Sequence, residues 1–194
     1  MKTKMKPINI HLCGVGGQGI GLLSETILRA YDHAGLAVRA VDTHGLAQRG
    51  GIVRSNLRVG ENGFSPLIEK GHADIVMALE RTEALRGAMD YARPGGLVIY
   101  YDAYWQALPV RLGEHRDVEP QDIERYGQTK QLRIVRVFRD DLPDIRMQNM
   151  ALLAEAMSQK LLPQLQITHV KAALDDLLPQ KILKANQALF DFHS

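Results

Sequence analysis

The residues INIHLC (8–13) run directly into GVGGQG (14–19), and the next stretch is apolar at helical spacing, with Ile20, Leu23, Ile27 and Tyr31 on one face. A short buried strand, a glycine turn and an amphipathic helix, in that order, leave few folds open. Gly35 ends the predicted helix, and AVRAVD (37–42) reads as a second strand.

Strand, glycine turn, helix and strand form the first half of a Rossmann-like, doubly wound α/β sheet. Within Gly14-x-Gly16-x-x-Gly19, the first glycine allows a tight turn, the second lets backbone approach a pyrophosphate, and the third lets helix and strand pack closely. The following helix N-terminus adds amide donors and a partial positive charge. Asp42, 23 residues after Gly19, is placed to hold a ribose hydroxyl. The alternative is a tight turn, with Gly17 inside it, that binds no nucleotide.

THGLAQRGG (43–51) comes after the second strand and is polar, glycine-rich and basic. Beyond it, IVRSNLRV (52–59) alternates, placing Val53, Ser55, Leu57 and Val59 on one side and Arg54, Asn56 and Arg58 on the other. That period predicts a half-exposed strand. Arg39, Arg49, Arg54 and Arg58 against the single acid Asp42 give this stretch +3, more than the +2 of the whole chain. Arginine suits bidentate capture of carboxylate or phosphate, and Gly50-Gly51 permits close approach of a ligand or partner. Arg54 and Arg58, four residues apart on one face, would stand roughly 13 Å from each other. The plain alternative is a solvated strand face beside a loop.

Further along, ADIVMAL (73–79) reads as a buried strand and 80–91 as a helix. RPGG (93–96) reads as a turn before the strand LVIYY (97–101), with a short helix near 120–126 and a strand at LRIVRVF (132–138). From Pro143 the pattern turns helical: Met147, Met150, Ala154, Met157 and Leu161 share a face until Pro163, and two shorter helices are predicted over 167–177 and 179–190. The expected organisation is a body over 1–142 and a C-terminal helical segment over 143–194 of the same domain.

Of 194 residues, 45% are hydrophobic and 24% charged, ordinary for a soluble globular chain with a proper core. Net charge +2 gives no global reason to expect nucleic acid or membrane as partner. The short, interrupted apolar run after Pro7 argues against a signal peptide, and no stretch has the length of a membrane span, so a cytoplasmic location is expected. One cysteine, Cys13, cannot hold an iron–sulfur cluster alone; beside the glycine turn it reads as small buried packing or as a reactive thiol. His44 reads as a hydrogen-bonding loop residue or as an acid–base group. The aromatics Tyr100, Tyr101, Tyr104 and Trp105 read as core or as an interface anchor. The histidines show no metal spacing, and neither a nucleophile elbow nor a phosphate loop of the GxxxxGK[ST] type occurs. These are the parts of a binding or docking module, with no catalytic residue assigned.

GVGGQG, THGLAQRGG with Ser55 and Arg58 behind it, ADIVMALERTEALR (73–86), PGGLVI (94–99) and LPQKILKANQALF (178–190) together resemble the gamma-type subunit of 2-oxoacid:ferredoxin oxidoreductases, and within them the beta subunit of the indolepyruvate enzymes. The resemblance spans essentially the whole chain. It implies a Rossmann-like small subunit, expected to be inactive alone, of an enzyme that decarboxylates a 2-oxoacid on thiamine diphosphate. Thiamine diphosphate, magnesium and the iron–sulfur clusters would sit on a larger catalytic subunit, electrons would pass to ferredoxin through the complex, and this chain would either help close the thiamine site or receive the phosphates of coenzyme A as a shared ligand. Its site would draw on Gly14, Gly16, Gly17, Gly19, Asp42, Thr43, His44, Gly45, Gln48, Arg49, Gly50, Gly51, Arg54, Ser55 and Arg58, as cofactor-binding or partner-facing residues. One departure stands out: Tyr101-Asp102 follows the PGG strand where family members often carry asparagine. The competing readings are a stand-alone nicotinamide-dependent oxidoreductase and a nucleotide-sensing regulatory module.

Overall fold

The computed structural model describes residues 6–44, 51–60, 65–105 and 117–191. The first apolar run forms β1 (Ile8–Val15), buried from Ile10 onward because it lies inside the sheet. The glycine turn leads into α1 (Ile20–His33), which buries Ile20, Leu23, Ile27 and Tyr31 and ends where Gly35 takes φ +71. β2 (Val38–His44) and β3 (Ile52–Val59) come next, then β4 (Ala73–Ala78), α2 (Arg81–Asp90), β5 (Ala92–Tyr101), α3 (Pro120–Lys130) and β6 (Arg133–Val137). A 3-10 turn (Ile145–Met147) opens the last part, with α4 (Gln148–Ser158), α5 (Ile167–Leu177) and α6 (Gln180–Ala188).

The six strands lie in the order β2-β3-β1-β4-β5-β6. β1, β4, β5 and β6 are parallel, whereas β3 is antiparallel to both β1 and β2. This corrects the simple doubly wound opening: β2 is not bonded to β1, because β3 folds back as a hairpin partner and inserts between them. It also corrects the half-exposed reading of 52–59. β3 is an interior strand, with Ser55, Leu57 and Val59 fully buried and Asn56 nearly so. Alternation separated the two faces correctly, but polar Asn56 is buried by its bond to His11 rather than exposed.

Two further boundaries differ. RPGG lies inside β5, which starts at Ala92 and pairs with β4 through a register shift. The helix expected to run to Pro163 stops at Ser158, because Lys160 takes φ +54 and the Lys160 and Leu161 amides close back on the Met157 and Ala156 carbonyls.

Helices cover both faces. α1, α4 and α5 bury their apolar residues against one core with Ile10, Leu12, Leu57, Met77 and Ile99; α2 and α3 pack on the other with Cys13, Val76, Val98 and Tyr100. Leu152, Leu153 and Ala156 of α4 are fully buried along with Met150, so this helix is apolar nearly all round and belongs to the interior. Among the described residues no helix is long and apolar enough to cross a membrane.

Candidate functional site

Parallel strands direct their carboxyl ends, and hence the glycine turn, the β2–β3 hairpin and the starts of α1 and α2, to one edge of the sheet. The two motifs singled out in the sequence meet there. The Gly16 amide donates to the Gly51 carbonyl at 2.8 Å, and Val15 pairs with Ile52 across β1 and β3. Gln18 secures the turn from within: its Oε1 accepts the Val15 amide and its Nε2 donates to the Leu79 carbonyl, both at 2.8 Å. That second bond crosses from β1 to β4, where the strand order reverses and open α/β sheets commonly bind ligands. Here a glutamine side chain bridges the crevice.

Gly17 takes φ +102 and is exposed. Gly19 takes φ +82 at the start of α1, and a Cβ there would lie 2.5 Å from Asn149 Nδ2. Asn149, on α4, donates to the Gly19 carbonyl at 3.1 Å. Gly14 lies within β1 and leaves room for Gln18 and Ile20.

The remaining candidates are divided by the sheet. Cross-strand neighbours share a face. Asp42 and Ser55 are paired and point toward α1, where Ser24 Oγ lies 2.7 Å from Ser55 Oγ and 3.4 Å from the Asp42 carboxylate. Arg54, opposite Cys13 and Thr43, points to the α2 side, its guanidinium carbon 6.0 Å over the Tyr91 ring. Arg58 sits at the far end of β3, bonded to Asn9 Oδ1 and to the Ser65 and Leu67 carbonyls at 2.9–3.1 Å. No single small ligand can touch Asp42 and Arg54 together. Asp42 is also two strand spacings from β1, roughly 9.6 Å, so the nearest-strand geometry of a dinucleotide site is not formed. His44 ends β2 opposite Val53. Gly45, Gln48, Arg49 and Gly50 lie outside the described residues.

Three buried titratable groups near this edge are held away from ordinary chemistry. Burial pushes the Cys13 thiol far up, and its hydrogen bonds to the Glu83 carbonyl at 3.3 Å. Burial lowers His11 to about 4, against the raising effect of its Asn56 bond at 2.7 Å, so the ring is neutral at neutral pH, stacked 3.8 Å from Tyr91. Burial likewise raises Glu83. The aromatic cluster splits: Tyr100 and Tyr101 are core, while Tyr104 and Trp105 are 46% and 55% exposed.

Three residues to which the sequence assigns no role hold the edge together. Gln18 was in view inside the glycine motif, but its role needs β4. Asn149 had no local signal. Asp102 is buried between Arg81 and Arg136, joining the end of β5 to the start of α2 and to β6. Its own burial opposes ionisation, yet the two guanidiniums outweigh this and hold the carboxyl below the usual range.

A mixed six-stranded α/β chain with a glycine turn hydrogen-bonded to a basic hairpin is a recognisable class. The gamma subunit of a keto/oxoacid ferredoxin oxidoreductase from Geobacter sulfurreducens has this fold, with TM-score 0.65 and 17% identity over 94% of each chain. A 2-oxoglutarate:ferredoxin oxidoreductase from Magnetococcus marinus, solved with 2-oxoglutarate, coenzyme A and succinyl-CoA, superposes with TM-score 0.68 and 19% identity. That match covers 97% of this chain and 30% of the other.

The pyruvate ferredoxin/flavodoxin oxidoreductase family model matches residues 9–192, and the chain belongs to that family. It is similar to the indolepyruvate oxidoreductase subunit IorB of Archaeoglobus fulgidus, 51% identical over 81 residues, and to that of Thermococcus kodakarensis, 40% identical over 94 residues. These matches span 42% and 48% of this chain and less than half of the relatives, 40% and 46%.

Proposed function

We propose that this chain is the small, cluster-free subunit of a thiamine-diphosphate- and ferredoxin-dependent 2-oxoacid oxidoreductase whose substrate is an aryl pyruvate of the indolepyruvate type. The observation that carries the reading is the Gly16–Gly51 hydrogen bond, which ties the glycine turn to Gly51 at the start of β3, in a chain of this family. Among the described residues, Cys13 and His11 are buried and held in their neutral forms. Both favour a binding surface over a reaction centre. The larger subunit would hold thiamine diphosphate, magnesium and the iron–sulfur clusters, which supply decarboxylation and electron transfer, and would pass electrons to ferredoxin in the cytoplasm.

In this reading Arg49 and Gly50-Gly51 would face the catalytic subunit, the glycines permitting close approach and the arginine supplying anion contacts to the phosphates of coenzyme A. The coenzyme A bound in the Magnetococcus relative is consistent with that role. Arg54 flanks the same edge, whereas Arg58 is engaged in holding residues 65–67. Arg49→Ala in the assembled enzyme tests the assignment. It should weaken assembly or raise the apparent coenzyme A requirement about tenfold, the loss expected for one charge-assisted contact of roughly 1.5 kcal/mol. Unchanged assembly together with an unchanged coenzyme A dependence would remove the hairpin from the site. The nicotinamide alternative would be favoured instead by micromolar binding of NADH.

A further inference from the structure

The six described helices differ in how their first turns are satisfied. Glu80 caps α2, accepting the Glu83 amide at 3.0 Å; Glu119 and Asp122 form a reciprocal box at α3, and Gln166 and His169 do so at α5. α1 and α6 have no side-chain cap bond and no acidic residue in the first turn, whereas α4 continues the 3-10 turn that Asp144 caps, and Asn149 Oδ1 accepts its Met150 amide. α1, α4 and α6 meet at one place. Leu22 of α1, Met147 and Asn149 at the start of α4, and Lys181 and Ile182 of α6 line one groove of about 340 Å³.

Its walls are largely apolar, through Leu22, Met147, Ile182 and Pro143. Ile182 in its wall is 44% exposed. Of its two cations, Arg146 is held by Asp144 at 2.5 Å, whereas Lys181 is exposed and forms no ion pair among the described residues. Helix first turns carry partial positive charge and amide donors. The groove therefore combines apolar area with a positive potential from Lys181 and the first turn of α6, while Asp144, the one acid among its described lining residues, is engaged with Arg146. Through the bond from Asn149 to the Gly19 carbonyl, it is continuous with the glycine turn.

We propose that the groove receives a segment of the larger subunit that presents apolar side chains together with a carboxylate, the carboxylate seated against Lys181 and the first turn of α6. The inference rests on the small-subunit reading above and assigns a second part of the same interface. Charge complementarity selects an acidic rather than a basic segment, and continuity with the glycine turn places it beside the hairpin contact. In the Magnetococcus relative the region matching this chain is 30% of a longer polypeptide, so there the same fold is joined to a large remainder.

Hydrogen exchange on the chain alone and in the assembled complex tests this. Amides of residues 20–23, 148–151 and 180–183 should exchange at least tenfold more slowly in the complex. Lys181→Glu and Ile182→Glu should each weaken assembly tenfold or more while leaving the melting temperature of the free chain unchanged, since an acid in a first turn favours the helix; Lys181→Arg should assemble normally. Slowing confined to residues 51–58, with Ile182→Glu assembling as the parent does, would overturn the groove proposal and leave the small-subunit reading intact. Failure to form any complex with a 2-oxoacid-oxidising chain would overturn both. Slowing of the groove amides by phenylacetate, with none from the larger subunit, would make this a small-acid site and overturn the docking proposal.

Discussion

Asn149 on α4 donates its Nδ2 hydrogen to the carbonyl of Gly19, 130 residues earlier and 3.1 Å away. The bond fastens the C-terminal helices to the turn that begins α1, so the local geometry of the glycine motif is set by a distant part of the chain. Asn149 is 2% exposed, which makes this contact part of the core and not a surface accessory.

Gly19→Ala should expose the dependence. The residue is at φ +82, where a Cβ costs about 1 kcal/mol, and that Cβ would press on Asn149 Nδ2 at 2.5 Å. The expected loss is about 2–3 kcal/mol in urea unfolding. Gly17→Ala, at φ +102 but with nothing near its Cβ, should lose only about 1 kcal/mol. Equal losses at the two positions would mean that Asn149 does not constrain the turn.

Asp102→Asn should destabilise the sheet edge although it changes only one atom's identity. The carboxylate side chain is 2% exposed and is shared by Arg81 and Arg136, while Arg136 is half exposed and its share is weakened by solvent. A loss of about 2 kcal/mol is expected at pH 7. Because the folded carboxyl is held below its ordinary value, the parent's advantage should persist above about pH 4 and fade as pH falls below it. A variant as stable as the parent at pH 7 would mean that the two arginines contribute no net stability.

His11 should make the chain acid-sensitive between about pH 6.5 and 4. Its folded value, near 4, lies below the ordinary 6.5, so the unfolded chain binds the proton more readily and stability falls as pH drops through that window. The difference amounts to roughly 2–3 kcal/mol once pH reaches 4. Glu83, raised by burial, works in the opposite direction above pH 4.5. The comparison is therefore between parent and His11→Gln. Denaturant midpoints at pH 7 and pH 4.5 should show a smaller acid loss in the variant, and an identical loss would remove His11 as its source.

Much of the fold was legible because it rests on local signals. The glycine turn between an apolar strand and an amphipathic helix, the helix over 167–177 and the stop at Gly35 all arise from periodicity and backbone preference. The position of β3 was not legible in the same way. Alternation identifies a strand and its two faces, but which neighbours it pairs with depends on contacts between distant segments. Alternation already parted Ser55 from Arg54; the same limit hid that Asp42 falls on the Ser55 side. Asp102 was visible as a departure from the related sequences, and only the approach of α2 and β6 shows what the charge does.

If this chain completes a larger 2-oxoacid-oxidising enzyme through the edge where the glycine turn meets Gly51, that enzyme should be recovered with it. The direct measurement is to tag the chain in its native host, purify it without oxygen, and assay its companions. A larger chain in near-equal amount is expected, with bound thiamine diphosphate, the broad brown absorbance of iron–sulfur clusters, and coenzyme A-dependent oxidation of an aryl pyruvate. Recovery of the chain alone, colourless and without that activity, would refute the small-subunit assignment.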